Sequence, residues 1–152
     1  MTGPGSNAPL IVHGVEGVRA SVGARPGPTP WTRVDPGQVA SFEAAASGLP
    51  ARPIPSDPAP PARLPELLLL ALCNHFLPRL VQVRGMRLGV NYGVDGVTFS
   101  AVPAPARLRG RGEVLSCIDV PGGVQLAVRV VLEAERLEPP VCTATTLSRW
   151  LV

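Results

Sequence analysis

The sequence predicts an α+β domain in which a long antiparallel sheet wraps around one buried central helix. Two local patterns and one count lead there. Pro65 to Leu80 (PELLLLALCNHFLPRL) carries leucines on nearly all sides of a helix, and a helix apolar all round belongs inside a core. From Met86 onward apolar residues alternate with polar ones, the period-2 signature of strands. Of the 19 prolines, 13 lie in the first 65 residues, so an irregular front precedes a regular back. A length of 152 residues fits one domain.

Taken in order, residues 1–17 read as a mobile N-terminal segment ahead of a single domain over 18–152. Val18 to Val34 has too many prolines for a long helix and ends in a short strand around Trp31. Asp35 then supplies an N-cap and Pro36 the first helical residue, and VASFEAAAS continues the helix until Gly48 stops it. Leu49 to Pro65 holds seven prolines and is a long loop. Pro65 and Glu66 open the central helix, the carboxylate beside its positive end, and Pro78 ends or kinks it.

Met86, Leu88, Val90 and Tyr92 then share one strand face, and Arg87, Gly89 and Asn91 the other. In Arg107–Cys117 a row of Arg107, Arg109 and Arg111 opposes Leu108 and Val114. Val124, Leu126, Val128, Val130 and Leu132 likewise oppose Gln125, Arg129 and Glu133. A hairpin turn at Pro121–Gly123 and a break at Glu138–Pro140 separate these from a last strand over Val141–Leu151. The expected product is an antiparallel meander with one polar and one apolar face, the central helix covering the apolar one.

Composition narrows the chemistry. All 14 positive side chains are arginine, so a Schiff-base lysine and a P-loop are both excluded. Two distant histidines, His13 and His75, and three cysteines without CxxC spacing argue against a metal site. Cys73, Cys117 and Cys142 read as buried thiols of a reducing compartment. A net charge of +3 spread along the chain, with 4% aromatic residues, lacks a nucleic-acid footprint. The longest apolar run, Leu67 to Cys73, is too short for a bilayer, and a cytoplasmic protein without a membrane partner or bound cofactor is expected.

The segment Arg79 to Ser116 carries the string Val90-Asn91-Tyr92-Gly93-Val94-Asp95-Gly96-Val97-Thr98-Phe99, followed by a proline-containing link into a strand that begins with basic residues. It resembles the MaoC-like dehydratases, especially the branch similar to nodulation protein N. Weaker likeness extends forward through Val18–Gly23, Gly27–Val34 and Phe42, and back to Ser148–Val152, about residues 18–152 in all. The resemblance implies a hotdog fold, pairing as a homodimer or with another hotdog, and reversible hydration of an enoyl thioester on CoA or acyl carrier protein.

The family's catalytic signatures do not align. Counted from Phe42, the aspartate of its G-D-x-x-x-x-H motif falls on Gly48 or Leu49 and the histidine on Pro53 or Ile54. Its A-H-G, where a backbone N–H polarises the thioester carbonyl, falls on Leu64-Pro65-Glu66. Two functions are therefore expected. One is a degenerate hotdog that binds and transforms an acyl-thioester or polyketide-like intermediate by dehydration or cyclisation, a lyase or cyclase without the usual dyad. The other is a non-catalytic subunit paired with an active hydratase or dehydratase.

Asn91 and Tyr92, from the matched string, are candidates to hydrogen-bond a substrate, or else a sheet amide and a core aromatic. Asp95, beside Gly93 and Gly96, is a relocated acid or base, or a bulge residue. His75, with Asn74 late in the apolar helix, is a catalytic imidazole or a satisfied core histidine. Glu66 and Asp57 flank the place of the missing dyad and are replacement bases, or a helix-end carboxylate and a loop residue. Arg107, Arg109 and Arg111 suit the phosphates of CoA or an acidic carrier protein, or pair across strands with residues such as Glu133.

Overall fold

The computed structural model describes residues 8–47 and 62–152. Strand β1 (Leu10–His13) leads into helix α1 (Gly14–Ala20), followed by β2 (Thr32–Val34) and α2 (Pro36–Ser47). Further along the chain come α3 (Glu66–Leu80), β3 (Val81–Arg84), β4 (Leu88–Phe99), β5 (Ala106–Val120), β6 (Gly123–Ala134) and β7 (Cys142–Leu151). The main sheet runs in the order β2-β5-β6-β7-β4, all neighbours antiparallel, and β1 pairs with β3 in parallel.

The helix start at Asp35 is the expected one. Asp35 Oδ1 accepts from the Gln38 N–H at 3.0 Å while Gln38 Oε1 accepts from the Asp35 N–H at 2.9 Å, a reciprocal cap. At the β5–β6 hairpin Val120 pairs with Gly123 across Pro121-Gly122, and Gly122, at φ 79°, takes the left-handed position such a turn requires.

Three expectations need correction. Residues 10–17 are not a segment outside the domain: β1 and α1 bury Val12 and Val18 in the core. The sequence hides this because strand and helix there are only 4 and 7 residues long, too short for either period to register. The central helix is not enclosed on all sides. Leu68, Leu69, Cys73, Phe76 and Leu80 are buried, while Leu67 is 63% exposed and Asn74 and His75 face outward. It also runs through Pro78 to Leu80, since a proline that near the helix end forfeits only one backbone bond, to the Asn74 carbonyl.

The third correction concerns the sheet. Strands β5, β6 and β7 form the expected meander, but β4 lies beyond β7 at the far edge and is reached by a crossover. Neither face of it is covered in the single chain: every residue from Leu88 to Gly96 is exposed, Leu88, Val90 and Tyr92 at 43–55%. An edge strand of 12 residues thus carries an apolar row to solvent.

The close fit of α3 over the sheet rests on Gly110 of β5. A Cβ there would stand 3.0 Å from the Phe76 Cβ, so a side chain would push the helix away. Leu108, Val114, Val124, Val128, Val130 and Leu132 of β5 and β6 complete the core facing α3. The seven-proline loop lies mostly outside the described residues, including 48–54, where the catalytic aspartate and histidine positions fall. Its last residues pair with the link between β4 and β5: the Leu64 N–H donates to Val102 O and the Ala104 N–H to Ala62 O, each at 2.9 Å.

Candidate functional site

Where α3 meets β4 and β7, a cavity of about 290 Å³ opens. Its apolar lining comes from Leu70, Cys73 and Val94, and its polar groups from Asn74, Asn91, Tyr92 and Thr146. The register slips between Asn91 and Gly93, so Tyr92 is an extra residue in β4, and the bulge brings both Asn91 and Val94 to this cavity.

The Asn91 side-chain amide donates to Asn74 Oδ1 at 2.8 Å. That bond spends the Asn74 carbonyl and leaves its two N–H donors, with the Asn91 oxygen, for a ligand. The Thr146 hydroxyl is engaged with Val128 O at 3.1 Å. Cys73 Sγ lies 3.6 Å from Cys142 Sγ, and hydrogen bonding to Cys142 together with burial holds the Cys73 thiol above the ordinary range. It therefore stays a neutral S–H and not a nucleophilic thiolate. Among the described residues lining the cavity there is no carboxylate and no imidazole. Such a site can hold and orient a carbonyl, and amides do not move its protons.

The expected site residues divide accordingly. Asn91 and Tyr92 both belong to the cavity, but the Tyr92 ring also lies under the Arg149 guanidinium, 3.5 Å from its carbon, in a cation–π contact. Asp95 sits outside, exposed, next to a second register slip between Asp95 and Thr98 where Gly96 takes φ 56°. His75 is not in the core. Its ring meets Phe76 edge-on at 5.2 Å and contacts Arg79, and burial followed by the Arg79 charge lowers its pKa. The helix turns it outward because Phe76, one residue on, takes the buried position. Glu66 is exposed in the first turn of α3 and does not line the cavity, and Asp57 lies outside the described residues.

The arginine row is on β5, separated from β7 by β6 and away from this cavity. Arg109 and Arg111 donate to the two oxygens of Glu133, each at 2.6 Å, and Arg107 to Glu135 at 2.9 Å. Trp31 underlies the row, 4.5 Å from Arg109 and 6.0 Å from Arg107. Burial alone would raise the Glu133 pKa, but the hydrogen bonds and charges of Arg109 and Arg111 outweigh it and the net shift is downward. A carboxylate lowered in the folded state stabilises above its unfolded pKa and loses that contribution as pH falls through the folded one. Melting temperature should consequently drop as pH falls through and below the ordinary glutamate range, and Glu133→Gln should melt lower at neutral pH with a shallower acid drop. An identical acid slope in the two proteins would refute this account.

Thr146, Leu70 and Val94 escaped sequence reasoning, as did the role of Arg149. Only their alternation could have flagged them, and alternation marks a face without naming its neighbour across a crossover.

A sheet curled over one long helix, with a cavity at the seam between the helix and the sheet edge, is the hotdog architecture. Solved structures of the same fold include the monoamine oxidase regulatory protein of Archaeoglobus (TM-score 0.68, 15% identity, 95% of this chain and 97% of that one). Others are a MaoC-like dehydratase from Rhodospirillum rubrum (0.61, 13%, 86% and 93%) and the ChsH1–ChsH2 complex of Mycobacterium tuberculosis (0.54, 17%, 85% and 97%). In sequence, the 3-hydroxyacyl-thioester dehydratase Z of Mycobacterium tuberculosis and Mycobacterium bovis is 31% identical over 86 residues, 55% of this chain. The chain spans 57% of the length of these curated relatives. No protein-family model matches it. The chain thus has the hotdog fold that MaoC-like dehydratases share, and over part of its length it is similar in sequence to a 3-hydroxyacyl-thioester dehydratase. Among the described residues no helix is long and apolar enough to cross a membrane.

Proposed function

We propose that this protein is an acyl-thioester-binding hotdog subunit. It holds the thioester carbonyl at the Asn74–Asn91 pair and pairs along β4, with a copy of itself when alone and, for turnover, with a second hotdog that supplies the groups that move protons. The observation that carries this is the cavity itself, which offers amide donors to a carbonyl and, among its described lining, no carboxylate or imidazole. Leu64-Pro65-Glu66 points the same way, since Pro65 has no N–H to offer where the family polarises the carbonyl. The thioester is carried on CoA or on acyl carrier protein, in keeping with the dehydratase named among the relatives.

The test combines binding and turnover. Calorimetry with butyryl-CoA should detect binding, weakened about tenfold by Asn74→Ala, the loss of a hydrogen bond donated to the ligand carbonyl. Hydration of crotonyl-CoA by the protein alone should be undetectable. A second reading, in which the chain itself dehydrates or cyclises a polyketide-like intermediate, draws support from the Tyr92 phenol in the cavity lining. Turnover by the isolated protein that is lost in Tyr92→Phe would establish that reading in place of the first.

A further inference from the structure

The opposite edge of the sheet holds a second cavity, of about 350 Å³, that acyl binding does not use. It lies where β2 ends, β5 begins and β6 runs into its turn, at the far edge from β4. Three guanidiniums, those of Arg33, Arg107 and Arg136, line it against one carboxylate, Glu135. Glu135 is already bound by Arg107, and Arg33 and Arg136 have no carboxylate partner among the described residues. The remaining wall is apolar, formed by the fully buried Val102 with Pro103, Pro105 and Leu137.

Backbone geometry adds an independent observation. Arg136 has φ 66°, and among the described residues other than glycine it alone has a positive φ. A β-carbon in the left-handed region costs free energy that glycine would avoid, and such strain gathers where a side chain has a task. The turn closed by the Leu137 N–H on Ala134 O at 3.2 Å holds this backbone in place, at a position from which Arg136 lines the cavity.

We propose that this cavity is a second binding site, separate from the acyl cavity, for a short-chain organic carboxylate. The free guanidiniums of Arg33 and Arg136 would fork onto the carboxylate oxygens, and the Val102–Pro103–Pro105 wall would take the hydrocarbon. A volume of about 350 Å³ is ample for a small acid.

Calorimetric titration of the full chain with butyrate, succinate and inorganic phosphate tests the site. Butyrate or succinate should bind more tightly than phosphate, and Arg33→Ala and Arg136→Gly should each weaken that binding about tenfold or more. Arg84→Ala, on β3, should leave it unchanged. Glycine suits the left-handed backbone, so Arg136→Gly should melt no lower than the parent and its binding defect cannot be blamed on misfolding. The proposal is overturned if neither organic acid binds, if phosphate binds as tightly, or if both arginine variants bind like the parent.

Discussion

Phe76→Ala should destabilise the protein by about 3–5 kcal/mol, the usual cost of deleting a fully buried aromatic. Phe76 is 0% exposed on the inner face of α3 and stands over Gly110 of β5. The residue directly beneath it is a glycine, which has no side chain to move into the void, and this puts the cost toward the upper end. Stability of ordinary domains is about 5–15 kcal/mol, so this one change removes a large part of it and should lower the melting temperature by roughly 10 °C or more. Leu67→Ala on the same helix is the control. Leu67 is 63% exposed, and its truncation should cost less than about 1 kcal/mol. Equal losses in the two variants, by chemical denaturation, would mean that α3 is not seated as described.

That pair of variants also marks where sequence reasoning stopped. The leucines around Pro65–Leu80 identify a helix at the core, and the alternation in β5 and β6 assigns inward and outward faces correctly, because both strands are covered by α3 on one side. Periodicity cannot say which side of a helix or strand the chain covers and which waits for something else. Leu67 on α3 and Leu88, Val90 and Tyr92 on β4 look like core in the sequence and are exposed in the single chain. The Val90–Phe99 string pointed to the fold family and to Asn91, one of the two amides at the cavity. Arg109 and Arg111 were legible as a row and Glu133 as a partner across the strands, while the sharing of its two oxygens between them follows from the register Arg109↔Glu133, which depends on hairpin geometry. The αL backbone of Arg136 has no sequence signature, since turns of that kind usually place glycine or asparagine there.

The exposed row on β4 leads to the largest expected effect on assembly. Leu88→Lys with Val90→Lys should convert a dimer into a monomer, weakening association about 100-fold or more. In the single chain Leu88, Val90, Tyr92 and Val94 are 43–55% exposed, so lysines at two of these positions should disturb the isolated fold little. Against a partner strand the same two charges would be stripped of water and set close to their counterparts, and edge lysines are a standard device for blocking strand addition. Sedimentation should show the parent as a dimer and the double variant as a monomer with nearly the same melting curve. A parent that is monomeric at tens of micromolar, or a variant that stays dimeric, would move the interface elsewhere. The acyl cavity links assembly to binding. Asn91, Gly93 and Val94 of β4 line it, so an edge strand left unpaired forms a looser wall than one held between β7 and a partner strand. The double variant should therefore bind butyryl-CoA more weakly even though neither substitution touches the Asn74–Asn91 hydrogen bond.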